Sequence, residues 1–76
     1  MYYIRDNNTG YVLAGIGSVS RAYKNVSMVW RSWRERHMAM QYKSPESARR
    51  YIDHHELYNV DIVDEAGRVV EMKEAM

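Results

Sequence analysis

The chain has 76 residues, a formal net charge of +1 and no cysteine. Together these exclude a second core, a disulfide framework and a thiolate metal site, leaving good packing or self-association as the stabilising routes. An apolar fraction of 46% with charges of both signs reads as one folded domain rather than a disordered segment.

The small net charge hides an asymmetry. Residues 1–50 carry nine Lys or Arg against three Asp or Glu, and residues 51–76 carry two against seven. A basic body with an acidic C-terminal third describes either two faces of one fold or two halves that neutralise each other. The aromatic set is seven Tyr and two Trp with no Phe, accompanied by six Met. These side chains combine apolar area with a polar handle or an adaptable shape, which suits recognition surfaces as well as cores. No apolar run has the length of a membrane span, and Met1 leads straight into strand-like sequence. The expectation is a cytoplasmic protein with no membrane partner.

In chain order, Tyr2–Asp6 and Tyr11–Ile16 are β-prone runs separated by Asn7–Asn8–Thr9–Gly10, a turn sequence, and they predict a hairpin. Gly15–Ile16–Gly17–Ser18 either ends the second strand or bulges it. It lacks the third glycine, the lysine and the βαβ setting of a phosphate loop. Across residues 18–43, Tyr23, Val26, Trp30, Trp33 and His37 have helical spacing, whereas Val26–Trp30 also reads as strand. The reading favoured is a loop, then a short helix or irregular turn, then a third strand at Met38–Tyr42.

Residues 44–56 carry the principal helix. Ser44 can cap, Pro45 suits the first helical position, and Glu46 lies where the helix dipole favours an anion. Ala48, Tyr51, Ile52 and His55 form one apolar stripe. Glu46 with Arg50 and Arg49 with Asp53 are spaced as flanking ion pairs. Asn59–Asp64 and Val69–Met72 then make a second hairpin around Glu65–Arg68, with Gly67 in the left-handed position and Lys73–Met76 fraying. The predicted class is α+β: a small, mainly antiparallel sheet in the order β-β-β-α-β-β with one helix on one face.

Chemistry finds little support in these residues. Asp53, His54, His55 and Glu56 are adjacent on a helix and point apart, so no metal is expected. His37 is isolated and would pack among the aromatics. There is no Cys nucleophile and no Gly-x-Ser-x-Gly elbow. No cofactor and no catalytic residue are expected, and the chain reads as a non-enzyme.

The dense feature is Trp30–His37. Trp30, Arg31, Trp33, Arg34 and Arg36 are the residue types most enriched at interface hot spots, and Arg also pairs with phosphate while Trp stacks on bases. In a chain without Phe, the same two tryptophans serve equally as core anchors. The reading backed is a partner-binding segment whose partner is a host protein or ribonucleoprotein. One rival is nucleic-acid binding through the basic 21–50 region, and another is a homodimer made through sheet edges. A weaker idea is an acidic face of Asp61, Glu65, Glu71 and Glu74 that imitates phosphates.

The stretches YYIRDNNTGYVLAG, HMAMQYKSPESARRYI and YNVDIVDEAGRVVE together resemble small accessory proteins of bacteriophages and mobile elements. The matching positions are Gly10, Ala39, Tyr42, Ser44, Pro45, Glu46 and Ala48. The resemblance implies a protein that binds and blocks a host factor, as anti-CRISPR proteins and inhibitors of host transcription or nucleases do. It transfers no functional residue.

Overall fold

The computed structural model describes residues 1–20 and 25–73. Strand β1 (Tyr3–Asp6) turns through Asn7–Gly10 into β2 (Val12–Ser20), and β3 (Asn25–Arg31) pairs back on β2. A 3-10 segment (Trp33–Met38) and helix α1 (Pro45–His54) follow, then β4 (Val60–Val63) and β5 (Val69–Lys73). The five strands form one antiparallel sheet in the order β3-β2-β1-β4-β5. The α+β architecture expected from the sequence is present, with one correction. The third strand is Asn25–Arg31, whereas the predicted strand at Met38–Tyr42 is reduced to a single bridge between Tyr2 and Tyr42. Part of the predicted loop, residues 21–24, and the last three residues of the predicted frayed end lie outside the described residues, while Lys73 completes β5.

Side chains alternate across the strands, and both faces of the sheet are covered over its centre. On one face Ile4, Leu13, Val60 and Ile62 meet Ala48 and Ile52 of α1, with Met28, Trp30, Met40 and Tyr51 at the margin. On the other, Tyr3, Val12 and Val63 lie beneath Trp33 and Ala39. Burial on both sides explains why all of β4 is inaccessible, Asp61 included. The chain therefore has to pass from one face to the other between Met38 and Pro45. It does so through the sheet. Met40 donates its N–H to the Leu13 carbonyl of β2 at 3.0 Å, and Tyr42 and Tyr2 exchange two backbone bonds of 2.9 and 2.7 Å beside β1. Residues 40–42 thus fill the gap where β1 and β2 diverge beyond the Arg5–Val12 pair. The Met40 N–H and both backbone groups of Tyr42 are satisfied by the two strands they separate.

Local signals set the element ends. Ser44 Oγ accepts the Ser47 N–H at 3.2 Å, capping α1 as expected, with Pro45 first in the helix. At the other end Glu56 N–H bonds the Asp53 carbonyl and Leu57 N–H the Ile52 carbonyl, at 3.3 and 2.9 Å, a Schellman closure. Glu56 occupies the left-handed position, φ 54°, where a β-carbon is unfavourable. Glu56→Gly is therefore expected to raise stability by about 0.5–1 kcal/mol, read as a higher urea midpoint at unchanged slope. Of the two predicted ion pairs on the helix, Arg49–Asp53 forms at 3.9 Å, whereas Glu46 and Arg50 stay exposed and apart. Gly67 has the expected left-handed backbone, φ 82°, in a turn where Asp64 accepts the Ala66 and Arg68 N–H groups at 2.9 Å each. The second strand runs through its glycines with a bulge after Leu13, where Gly15 has φ 151°.

Tyr42 and Tyr51 form an aromatic pair on the helix side, 6.0 Å between ring centres. Burial, and secondarily the charge Tyr51 would carry, pushes the Tyr42 hydroxyl far above the usual tyrosine range, and burial also raises Tyr51. A raised acid pKa keeps the neutral form in the folded state. Its stabilising contribution is complete below the unfolded value near about 10 and is lost as pH rises beyond it. Urea midpoints measured against pH are expected to fall above that value, and to fall less steeply in Tyr42→Phe.

Candidate interaction surface

The Trp33–Met38 segment sits on the sheet face opposite α1, and two contacts of the Trp33 ring fix it there, with Arg36 bracing the ring from within the segment. The Trp33 ring meets Tyr3 edge to face, 5.4 Å between centroids and 73° between planes. Its outer ring lies against Gly67, where an added β-carbon would come 3.5 Å from Cζ2. Arg36 folds back over the indole at 4.7 Å and donates to the Trp33 carbonyl at 2.9 Å. The start of the segment is closed by Ser32 Oγ donating to Glu35 Oε1 at 3.3 Å, with Arg31 pairing to the same carboxylate at 3.5 Å. A turn tied at both ends presents Arg34, Glu35, His37 and Met38 to solvent, so His37 does not pack among the aromatics as anticipated.

The five residues singled out from the sequence are not one cluster. Arg31, Trp33, Arg34 and Arg36 belong to this face. Trp30 is on the other face, opposite Leu13 in the β2–β3 register and packed against the helix-side core. The separation follows from strand alternation, since Trp30 and Arg31 are consecutive in β3 and must point oppositely. Among the four that remain together, Trp33 and Arg36 hold the segment, Arg31 is engaged by Glu35, and Arg34 is the exposed guanidinium with no ion pair among the described residues.

On the same sheet face as Tyr3 and Val63 lies a polar group expected on the outside. Asp61 is buried at 6% exposure, and is the sole charged side chain buried among the described residues. Its Oδ2 is 3.9 Å from Arg5 Nη2, and its Oδ1 has no hydrogen-bond partner. Arg5 in turn donates to the Gly67 carbonyl at 3.4 Å, tying the β4–β5 turn to the sheet. The idea of an acidic face is thereby corrected. Asp61 faces inward and Glu71 is paired with Arg49, while Glu74 lies outside the described residues.

The helix side offers a groove of about 120 Å³ between α1 and β5, floored by Ile52 and Ile62. Its rim charges are matched: Arg49 bonds Glu71 and Lys73 bonds Asp53 at 2.9 Å. Among the described residues no group of three His, Asp or Glu could hold a metal ion, and His54 and His55 have their rings 4.8 Å apart and perpendicular. No helix among them is long and apolar enough to cross a membrane. Comparison with protein-family models, with curated proteins and with solved structures finds no match to this chain.

Proposed function

We propose that the chain is a small non-enzymatic binding protein, carried by a phage or mobile element, that occupies and blocks a surface of a host protein or ribonucleoprotein in the host cytoplasm. The observation that supports this reading is the fixed Trp33–Met38 turn. Its backbone is already held by Trp33, Arg36 and Ser32, so the exposed Arg34 and Met38 would dock with little loss of conformational freedom. An exposed arginine and an exposed methionine on one short turn suit an acidic, partly apolar protein surface. The same guanidinium suits phosphate, which keeps direct nucleic-acid binding as the second reading. Anti-CRISPR-like inhibition is the form of blocking that the resemblance to phage accessory proteins implies.

The test is capture of partners from host lysate by the tagged chain, with and without nuclease, comparing wild type with Arg34→Ala/Met38→Ala. Both replaced side chains are exposed, so the variant is expected to melt like wild type. A protein partner that survives nuclease and is depleted in the variant supports the reading. Recovery of nucleic acid alone, with affinity falling steeply as salt rises, replaces it with the second. Equal capture by both proteins removes this face as the site.

A further inference from the structure

We propose that β5 is the seam of a homodimer, joining two copies antiparallel about Met72; this rests on observations independent of the Trp33–Met38 face. As the last strand of the sheet, β5 turns one row of backbone N–H and C=O groups to solvent. It also leaves Val69, Val70 and Met72 exposed, at 45%, 47% and 62%. What identifies a second copy as the occupant is the charge pattern on the helix side. Glu71 is engaged by Arg49, and Lys73 by Asp53, with its ammonium 5.0 Å from the Tyr58 ring. A twofold axis through Met72 sets Glu71 of each copy opposite Lys73 of the other.

The result is an alternating row across the seam, Arg49, Glu71, then Lys73 and Asp53 of the second copy, repeated in reverse by symmetry. Each acidic group then lies between two cations and each lysine between two carboxylates. Opposite charges directly across an antiparallel pair stabilise it, and like charges oppose it. On the other face the same register places Met72 against Met72. The interface is self-complementary, as a twofold contact requires, and it joins two sheets into one with both helices on the same side.

The chain has no cysteine, so single-cysteine variants report the register directly. Residues facing each other in an antiparallel pair have Cα atoms roughly 4.5–5.5 Å apart, within disulfide reach. Met72→Cys is therefore expected to cross-link under mild oxidation much faster than Val29→Cys, which lies on the opposite edge strand. Sedimentation of the full wild-type chain from low micromolar to near-millimolar concentration should show a monomer–dimer equilibrium. Met72→Lys sets two cations face to face and should weaken it about tenfold or more. The proposal is overturned if wild type sediments as a monomer throughout, or if the Val29→Cys variant cross-links as fast as the Met72→Cys variant.

Discussion

Trp33→Ala is expected to lower the unfolding free energy by about 3–5 kcal/mol. A domain of this length holds roughly 4–11 kcal/mol in total, so the variant would sit at the edge of folding. The size of the effect follows from position. Trp33 is the main cover for Tyr3, Val12 and Val63, which are 5%, 0% and 0% exposed, and these belong to three neighbouring strands. Its edge-to-face contact with Tyr3 adds about 0.5–1.5 kcal/mol beyond the area buried. Removing the indole also strands Arg36, whose guanidinium stacks on it. Urea unfolding followed by circular dichroism measures the change, with Trp30 left as a single fluorophore. A midpoint within experimental error of wild type would mean the 3-10 segment is not a structural layer. Arg34→Ala in the same assay is expected to shift stability by less than about 0.5 kcal/mol. That contrast separates the residue that holds the turn from the one the turn presents.

Much of the scaffold was legible because its signals are local. Ser44–Pro45–Glu46 announced the helix start, Gly10 and Gly67 announced the two turns, and β-prone runs on either side of those turns marked β1 and β4. The middle of the chain was not, for a reason visible in its geometry. Val26, Trp30, Trp33 and His37 have helical spacing because a strand and a 3-10 turn happen to be joined there, not because they share a helix face. A single-period analysis averages across that junction. Read as an extended run, Trp30 and Trp33 already fall on opposite sides, and that alternation was the available clue to their separation. Asp61 was misplaced for a related reason. In a two-layer domain the face it shares with Val63 would meet water, but the 3-10 segment makes a third layer over Tyr3, Val12 and Val63, and nothing local to β4 reports that layer.

The passage of the chain between β1 and β2 makes Leu13 the second site of large effect. Leu13 is fully buried on the helix side, opposite Trp30 in the register and in one cluster with Ile4, Ala48 and Ile52. Its carbonyl is also where Met40 attaches as the chain crosses from the 3-10 face to the helix face. Leu13→Ala removes the side chain but keeps that hydrogen bond, so the expected cost is the cavity and transfer cost of a core leucine, about 2–5 kcal/mol. Met40→Pro keeps the Leu13 side chain but removes the donor and the Met40 side chain at the core margin, leaving a buried carbonyl unpaired at about 1–3 kcal/mol in addition to the lost packing. If the crossing segment is a structural part of the sheet, both variants lower the urea midpoint, and Met40→Pro exposes the Leu13–Trp30 side to solvent, shifting the tryptophan emission to the red. A Met40→Pro variant as stable as wild type would show that residues 40–42 merely pass over the sheet. The Leu13→Ala loss would then be the whole of the energetic coupling at this point. The distinction matters for the candidate surface, because the crossing segment is the direct covalent link between the tethered turn and α1. The Met40 hydrogen bond to Leu13 lets the sheet hold the turn's far end while Trp33 holds its start.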